Sequence, residues 1–251
     1  GLRPIVEFMT FNFALLAIDQ VVNSAAKTLS MSGGQINCPI VFRGPNASAG
    51  QLGQQHSQAF ENWYANVPGL IVITPSTPRD AKGLLKAAIR NDNPVIFMES
   101  EVMYNNKGPV PDDPDFILPI GKCDIKRPGT DVTIVSFGKV VHAALDACNE
   151  LEKDGISAEM IDVRTIRPLD HQTIIESVKK TNRCVVVEEA WPFASVSSEI
   201  AYWIQKEAFD YLDAPVLRVT GRDTPLPYAP QFIEAYLPNK ARVMQAVKQV
   251  L

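Results

Sequence analysis

The stretch LIVITPSTPRDAKGLLKAAIRNDNPVIFM, residues 70–98, decides the fold. Its ends, Leu70–Thr74 and Pro94–Met98, are short apolar runs rich in β-branched residues, as expected of strands buried on both faces. Between them Ala81, Leu84, Leu85, Ala88 and Ile89 recur at helical spacing and predict a helix with one buried stripe. Thr77-Pro78 supplies the start of that helix. The threonine oxygen can accept from free amides of the first turn, and proline at the first position gives up no hydrogen bond. Strand, helix, strand in this order is the repeating unit of a parallel α/β sheet.

The same alternation continues outward. Upstream, Ile18, Val21, Val22, Ala25 and Leu29 fall at helical spacing, with Asp19, Gln20, Asn23 and Lys27 opposite. Gly33-Gly34 suits the helix end, where a left-handed backbone is common. A strand is expected at Pro39–Arg43, a glycine-rich polar loop at 44–55, and a short helix at His56–Asn66. Downstream the character changes. Prolines at 109, 111, 114, 119 and 128 stand among Asp112, Asp113 and Asp115, which disfavours helix and predicts a linker crossing the surface. Beyond it, strands are expected at Val132–Phe137, Ala158–Val163, Cys184–Glu188 and Val216–Thr220, with helices near 140–153, 171–180, 196–211 and 240–250. The fold class is therefore α/β: two parallel-sheet domains, 1–105 and 131–251, joined by a Pro/Asp-rich linker over 106–130.

Bulk properties narrow the function. Hydrophobic content of 46% with 21% charged residues is that of a globular protein. A net charge of -4 gives no electrostatic reason to expect nucleic acid or an anionic membrane as partner. No apolar run approaches the roughly 20 residues that span a bilayer. Cys38, Cys123, Cys148 and Cys184 form no CxxC pair and have no histidine at ligand spacing, so reduced, partly buried thiols are expected. The chain opens Gly1-Leu2-Arg3-Pro4 and runs straight into apolar sequence, which reads as the interior of a longer polypeptide.

Common catalytic signatures are absent: no GxGxxG after a strand, no GxxxxGK[ST], no HExxH and no GxSxG. Glu188-Glu189 are adjacent on a strand, so their side chains point to opposite faces and a structural or surface role is expected. The segment from Arg43 to Gln58 has the best claim to chemistry, because it follows a strand where open parallel sheets place ligands. His56 within it reads either as a capping or core histidine or as a hydrogen-bond donor or proton shuttle. The aromatic cluster Phe8, Phe11 and Phe13 likewise reads either as core or as a platform for a planar heteroaromatic cofactor.

Nine blocks, in order, carry a family resemblance. Gly1–Phe13, Ala17–Val21, Met31–Gln35, Val41–Pro45, Gln55–Gln58, Asp80–Lys86, Ala88–Pro94, Arg164–Asp170 and Asp213–Val216 closely resemble beta subunits of thiamine-diphosphate-dependent 2-oxoacid dehydrogenases, pyruvate dehydrogenase in particular. The resemblance implies a transketolase-like pyrimidine-binding domain, incomplete at its N-terminus, followed by a transketolase C-terminal-like domain. It implies an α2β2 enzyme, active only with its alpha subunit. That enzyme decarboxylates pyruvate on thiamine diphosphate and reductively acetylates the lipoyl domain of a dihydrolipoyl acetyltransferase core, in bacterial cytoplasm or mitochondrial matrix. The alpha subunit would hold the diphosphate through magnesium by a GDG-type motif, which this sequence lacks. By motif position Phe13 would stack on the aminopyrimidine, and His56 would face the reacting end and help acyl transfer. Main-chain carbonyls of Ile40, Ala88, Ile89, Asn91 and Asn93 would hold potassium. Two departures stand out. Family members begin well upstream, with a glutamate that protonates the pyrimidine, and many carry a further glycine after the residue matching Asn46. Related subunits acting on branched-chain 2-oxoacids or acetoin, and a noncatalytic assembly module, are the alternative readings.

Overall fold

The computed structural model describes residues 1–251. Ten strands occur in chain order: β1 Ile5–Glu7, β2 Val41–Pro45, β3 Ile71–Ile73, β4 Val95–Glu99, β5 Asp124–Arg127, β6 Val132–Ser136, β7 Ala158–Asp162, β8 Thr165–Arg167, β9 Cys184–Val187 and β10 Leu217–Val219. The α-helices are α1 Thr28–Met31, α2 Glu61–Ala65, α3 Pro78–Arg90, α4 Val140–Lys153, α5 His171–Thr181, α6 Val196–Ala208, α7 Pro230–Tyr236 and α8 Lys240–Val250. They form two compact units, Gly1–Gly121 with Arg164–Pro168, and Lys122–Val163 with Leu169–Leu251.

The first unit holds a five-stranded sheet in the order β1-β2-β4-β3-β8. Its first four strands run parallel, and β8 closes it antiparallel to β3. Helix α3 forms for the reasons legible in its sequence. Thr77 Oγ1 accepts from Asp80 N at 3.1 Å, Pro78 stands at the first position, and Leu84 and Ala88 bury against Val41, Ile73, Val95 and Phe97. Asp80 is wholly buried and meets Arg164 at 3.3 Å, tying the helix start to the segment that carries β8.

The second unit has the order β10-β9-β6-β7-β5, again four parallel strands and one antiparallel edge, β5 on β7. Strand β6 is buried along its whole length. Its one polar residue on the helix-facing side, Thr133, is satisfied by Ser177 and Thr181 of α5 at 2.6 Å each. Val141, Ala144, Cys148 and Leu151 of α4 and Val243 and Val247 of α8 cover the opposite face. Asp170 caps α5. Burial works against its ionisation, but bonds from Thr173 and the Cys123 amide hold its carboxyl below the usual carboxylate range. None of the four cysteines is in a disulfide, and burial pushes the Cys148 thiol up to about 11. No helix is long and apolar enough to cross a membrane.

The two α/β sheet domains are as expected, each sheet gaining one antiparallel edge strand too short to show a period in sequence. Three finer expectations need correcting. Residues 106–121 belong to the first unit, and 124–127 form β5 in the second. Proline excludes helix from this segment but does not stop it packing. Leu118 N donates to Gly83 O at 3.2 Å, and a Cβ on Gly83 would lie 2.7 Å from Leu118 and 2.8 Å from Phe116, so only glycine admits the crossing. The helical pattern at 18–29 is broken into a 3-10 turn at Ala14–Ala17, a π turn at Gln20–Ala25 and the short α1. None of these has a side-chain cap, and the Ser24 and Thr28 hydroxyls bond back to the preceding turn. Finally, His56 does not begin a helix. It ends a 3-10 turn, Gln54–His56, and α2 starts only at Glu61. The amides of Gln58 and Phe60, which a helix would need, donate instead to Asn12 and Asn46.

Candidate active site

The carboxyl ends of β1 and β2 build the site. Phe8 N donates to Arg43 O at 2.8 Å and Phe11 N to Pro45 O at 2.7 Å, so the chain leaving β1 stays beside β2. The approach is close: a Cβ on Gly44 would fall 2.3 Å from the Phe8 carbonyl oxygen. The three aromatic rings then divide between the two roles open in sequence. Phe11 is fully buried edge-on to Tyr64, and Phe8 stacks near-parallel on Phe42. Phe13 keeps 40% of its surface exposed.

The exposed Phe13 ring meets His56. Their centroids lie 5.1 Å apart with the planes at 86°, an edge-to-face pair. The two residues singled out far apart in sequence thus share one surface. Behind them, the buried Asn12 side chain bonds to Thr10 at 2.8 Å and accepts from Gln58 N and Nε2 at 3.2 Å each. A planar heteroaromatic ligand fits what is present: one aromatic face free to stack, and an imidazole beside it that can donate or accept.

A second polar group at the same sheet edge was not visible in sequence. Arg43 forks onto Glu99 at 2.7 and 2.5 Å and reaches Glu7 at 2.5 Å, and Tyr104 donates to Glu99 at 2.7 Å. The Glu99 hydrogen bond raises the Arg43 pKa, so the guanidinium stays charged. Burial, then the Glu99 bond, pushes the Tyr104 hydroxyl up. Arg43, Glu99 and Tyr104, with Phe97, Leu85 and Ser100, line a cavity of 380 Å³ beside the start of α3. Arg43 lies 36 residues from Glu7 and 56 from Glu99, and no local pattern joins them.

Of the five carbonyls that the resemblance assigns to potassium, four accept hydrogen bonds here. Arg3 donates to Ile89 O at 3.3 Å and Asn91 O at 2.8 Å and pairs with Asp92. Ile40 O accepts from Val95 N and Ala88 O from Asn91 N; the Asn93 carbonyl completes the set. No group of three or more His, Cys, Asp or Glu residues is placed to hold a metal ion. Glu188 and Glu189 prove structural but buried: Glu188 Oε1 accepts from Ser197 N at 3.0 Å in the first turn of α6, and Glu189 pairs with Lys139 at 2.8 Å.

Comparison with known proteins agrees with this architecture. Residues 1–107 match the transketolase pyrimidine binding domain, and residues 121–243 the transketolase C-terminal domain. The pyruvate dehydrogenase E1 component subunit beta of Rickettsia felis is 56% identical over 250 residues, covering all of this chain and 76% of the relative. The chain belongs to the pyruvate dehydrogenase beta-subunit family. A second member, from Rhizobium meliloti, is 58% identical, and this chain spans 54% of its length. The mitochondrial subunit of Caenorhabditis elegans is 53% identical, with 72% of it covered. Among solved structures, a split gene transketolase described as an inactive beta4 tetramer superposes with a TM-score of 0.78 at 22% identity, over all of this chain and 76% of that one, which shows the fold. Membership does not favour the branched-chain and acetoin alternatives.

Proposed function

We propose that this chain is the beta-subunit part of a thiamine-diphosphate-dependent pyruvate dehydrogenase. In this reading it works with an alpha subunit in a heterotetramer and passes its acyl product to lipoyl groups of an acetyltransferase core, in bacterial cytoplasm or mitochondrial matrix. The observation that carries the reading is the Phe13–His56 pair at the carboxyl ends of β1 and β2 in a member of this family. Thiamine diphosphate supplies the electron sink for loss of carbon dioxide from a 2-oxoacid. The exposed face of Phe13 binds and orients the aminopyrimidine by apolar contact and stacking. His56 stands at its edge, where an imidazole nitrogen can hold or move a proton at the substrate oxygen or at the lipoyl sulfur during acyl transfer.

The reading is tested in the αβ enzyme by His56→Ala. Turnover in lipoyl acetylation should fall by about 10²–10⁴-fold, the range of a positioned acid–base group, with melting temperature and cofactor affinity nearly unchanged. Decarboxylation followed with an artificial electron acceptor should fall less. A variant that loses stability and keeps its turnover per folded molecule returns His56 to a packing role.

A further inference from the structure

We propose that Asn12 is a positioning residue whose side-chain amide sets the distance and angle between Phe13 and His56. The inference deepens the proposed function and rests on it. Neither ring is held by the core: Phe13 is 40% exposed, His56 is half-buried, and both lie outside regular helix or strand. Their geometry is therefore set by the backbone on either side, and Asn12 joins the two segments directly. Gln58 N and Nε2 both donate to Asn12 Oδ1 at 3.2 Å. Asn12 Nδ2 donates to Thr10 Oγ1 at 2.8 Å, and Thr10 Oγ1 donates to Pro45 O at 3.4 Å. The donors thus run in one direction from the His56 loop, through the turn before Phe13, to the end of β2.

The amide can take only one orientation. Flipping it would point Nδ2 at the Gln58 backbone N–H, which can only donate. Asn12 is 6% exposed, so an unpaired Oδ1 or Nδ2 is costly and the relay resists slipping. Misplacing a reacting group by about 1 Å can cost on the order of 10²-fold in rate, so such a tie matters to chemistry as well as to folding.

The test reads geometry and activity separately. The chain has three histidines, so the ring signals of the histidine-labelled chain are few, and His56→Gln identifies that of His56. Phe13→Leu fixes where that signal lies without the neighbouring ring current. In Asn12→Ala the His56 signal should move toward the Phe13→Leu position. Turnover of the αβ enzyme should fall about 10–100-fold with little change in KM. Asn12→Asp keeps an acceptor for Gln58 and lets the Thr10 hydroxyl rotate to donate, so both signal and most of the turnover should return. If Asn12→Ala does not fold, Thr10→Val is isosteric, breaks the same relay, and should move the signal in the same direction. An unmoved His56 signal in the folded variant, or an Asp variant no better than the Ala variant, overturns the proposal. If Phe13→Leu and His56→Gln themselves leave turnover intact, the catalytic reading fails, while the His56 signal still decides whether Asn12 positions the pair.

Discussion

Replacing Phe13 by alanine separates the two things an aromatic side chain can do. A phenylalanine carries roughly 200 Å² of surface, and 40% of this one is exposed, which leaves roughly 80 Å² for a ligand to cover. At about 25 cal/mol per Å² that contact is worth ~2 kcal/mol, or about thirtyfold in Kd. Calorimetric titration of thiamine diphosphate with magnesium into the αβ enzyme should therefore show that loss in Phe13→Ala. The melting temperature should fall by less than for a core aromatic, because part of this ring already faces solvent. Phe11 provides the contrast. It is fully buried against Tyr64, so Phe11→Ala should cost about 3–5 kcal/mol of stability before any effect on binding is read. Equal cofactor affinity in a well-folded Phe13→Ala enzyme would refute the assignment and make Phe13 a piece of exposed surface.

Two further predictions concern the fold. Gly83→Ala should destabilise the wild-type chain by about 1 kcal/mol, because overpacking against Leu118 and Phe116 (about 1–3 kcal/mol) exceeds the helix-propensity gain of about 1 kcal/mol. In a Phe116→Ala/Leu118→Ala background both close contacts are gone, and the same substitution should turn stabilising in denaturant titrations; an identical effect in both backgrounds would mean that Gly83 does not meet them. Glu188 is wholly buried and desolvation raises its pKa, against the bonds from Ser195 and Ser197 and the charge of Arg218. The native state therefore binds this proton more tightly than the unfolded chain does, so stability rises as pH falls from neutral through the raised value toward the ordinary carboxylate range of about 4.3. Asp170 and Glu159, whose pKa values are lowered, act in the opposite sense at still lower pH. Glu188→Gln keeps an acceptor for the Ser197 amide and should lose only the rise, so melting curves that track wild type at every pH would refute this account.

Sequence served best where two independent signals coincided. Helix α3 has the cap and first-position proline as read, and of its stripe Leu84 and Ala88 are buried while Ala81, Leu85 and Ile89 are half-buried. Helix α4 spans Val140–Lys153, the range its apolar spacing indicates. It served less well where a long-range partner overrode local pattern. The stretch after His56 looks helical, yet two of its amides are taken by asparagines that lie 46 and 14 residues away. The proline-rich segment looks like a tether, but Gly83 gives it a seat, and nothing local announces that a helical glycine faces a crossing chain. The site was legible only in part. Phe13 and His56 stood out through family resemblance, since their own composition was equally compatible with core and cap. Asn12, and the Arg43–Glu99–Tyr104 group, depend on which strands become neighbours, and no spacing within one segment encodes that.

The return of residues 164–168 to the first unit constrains how the chain can be made and cut. Strand β3 receives its antiparallel neighbour from a segment that lies beyond β5, β6 and β7 in sequence. During synthesis the first sheet must wait with an unpaired edge, a template for wrong pairing, until most of β6, α4 and β7 has emerged. A gene fragment ending at residue 121 would give up both β8 and the Arg164 partner of the buried Asp80, so a split placed in the proline-rich segment would leave the first product incomplete and the second carrying a strand without its neighbour.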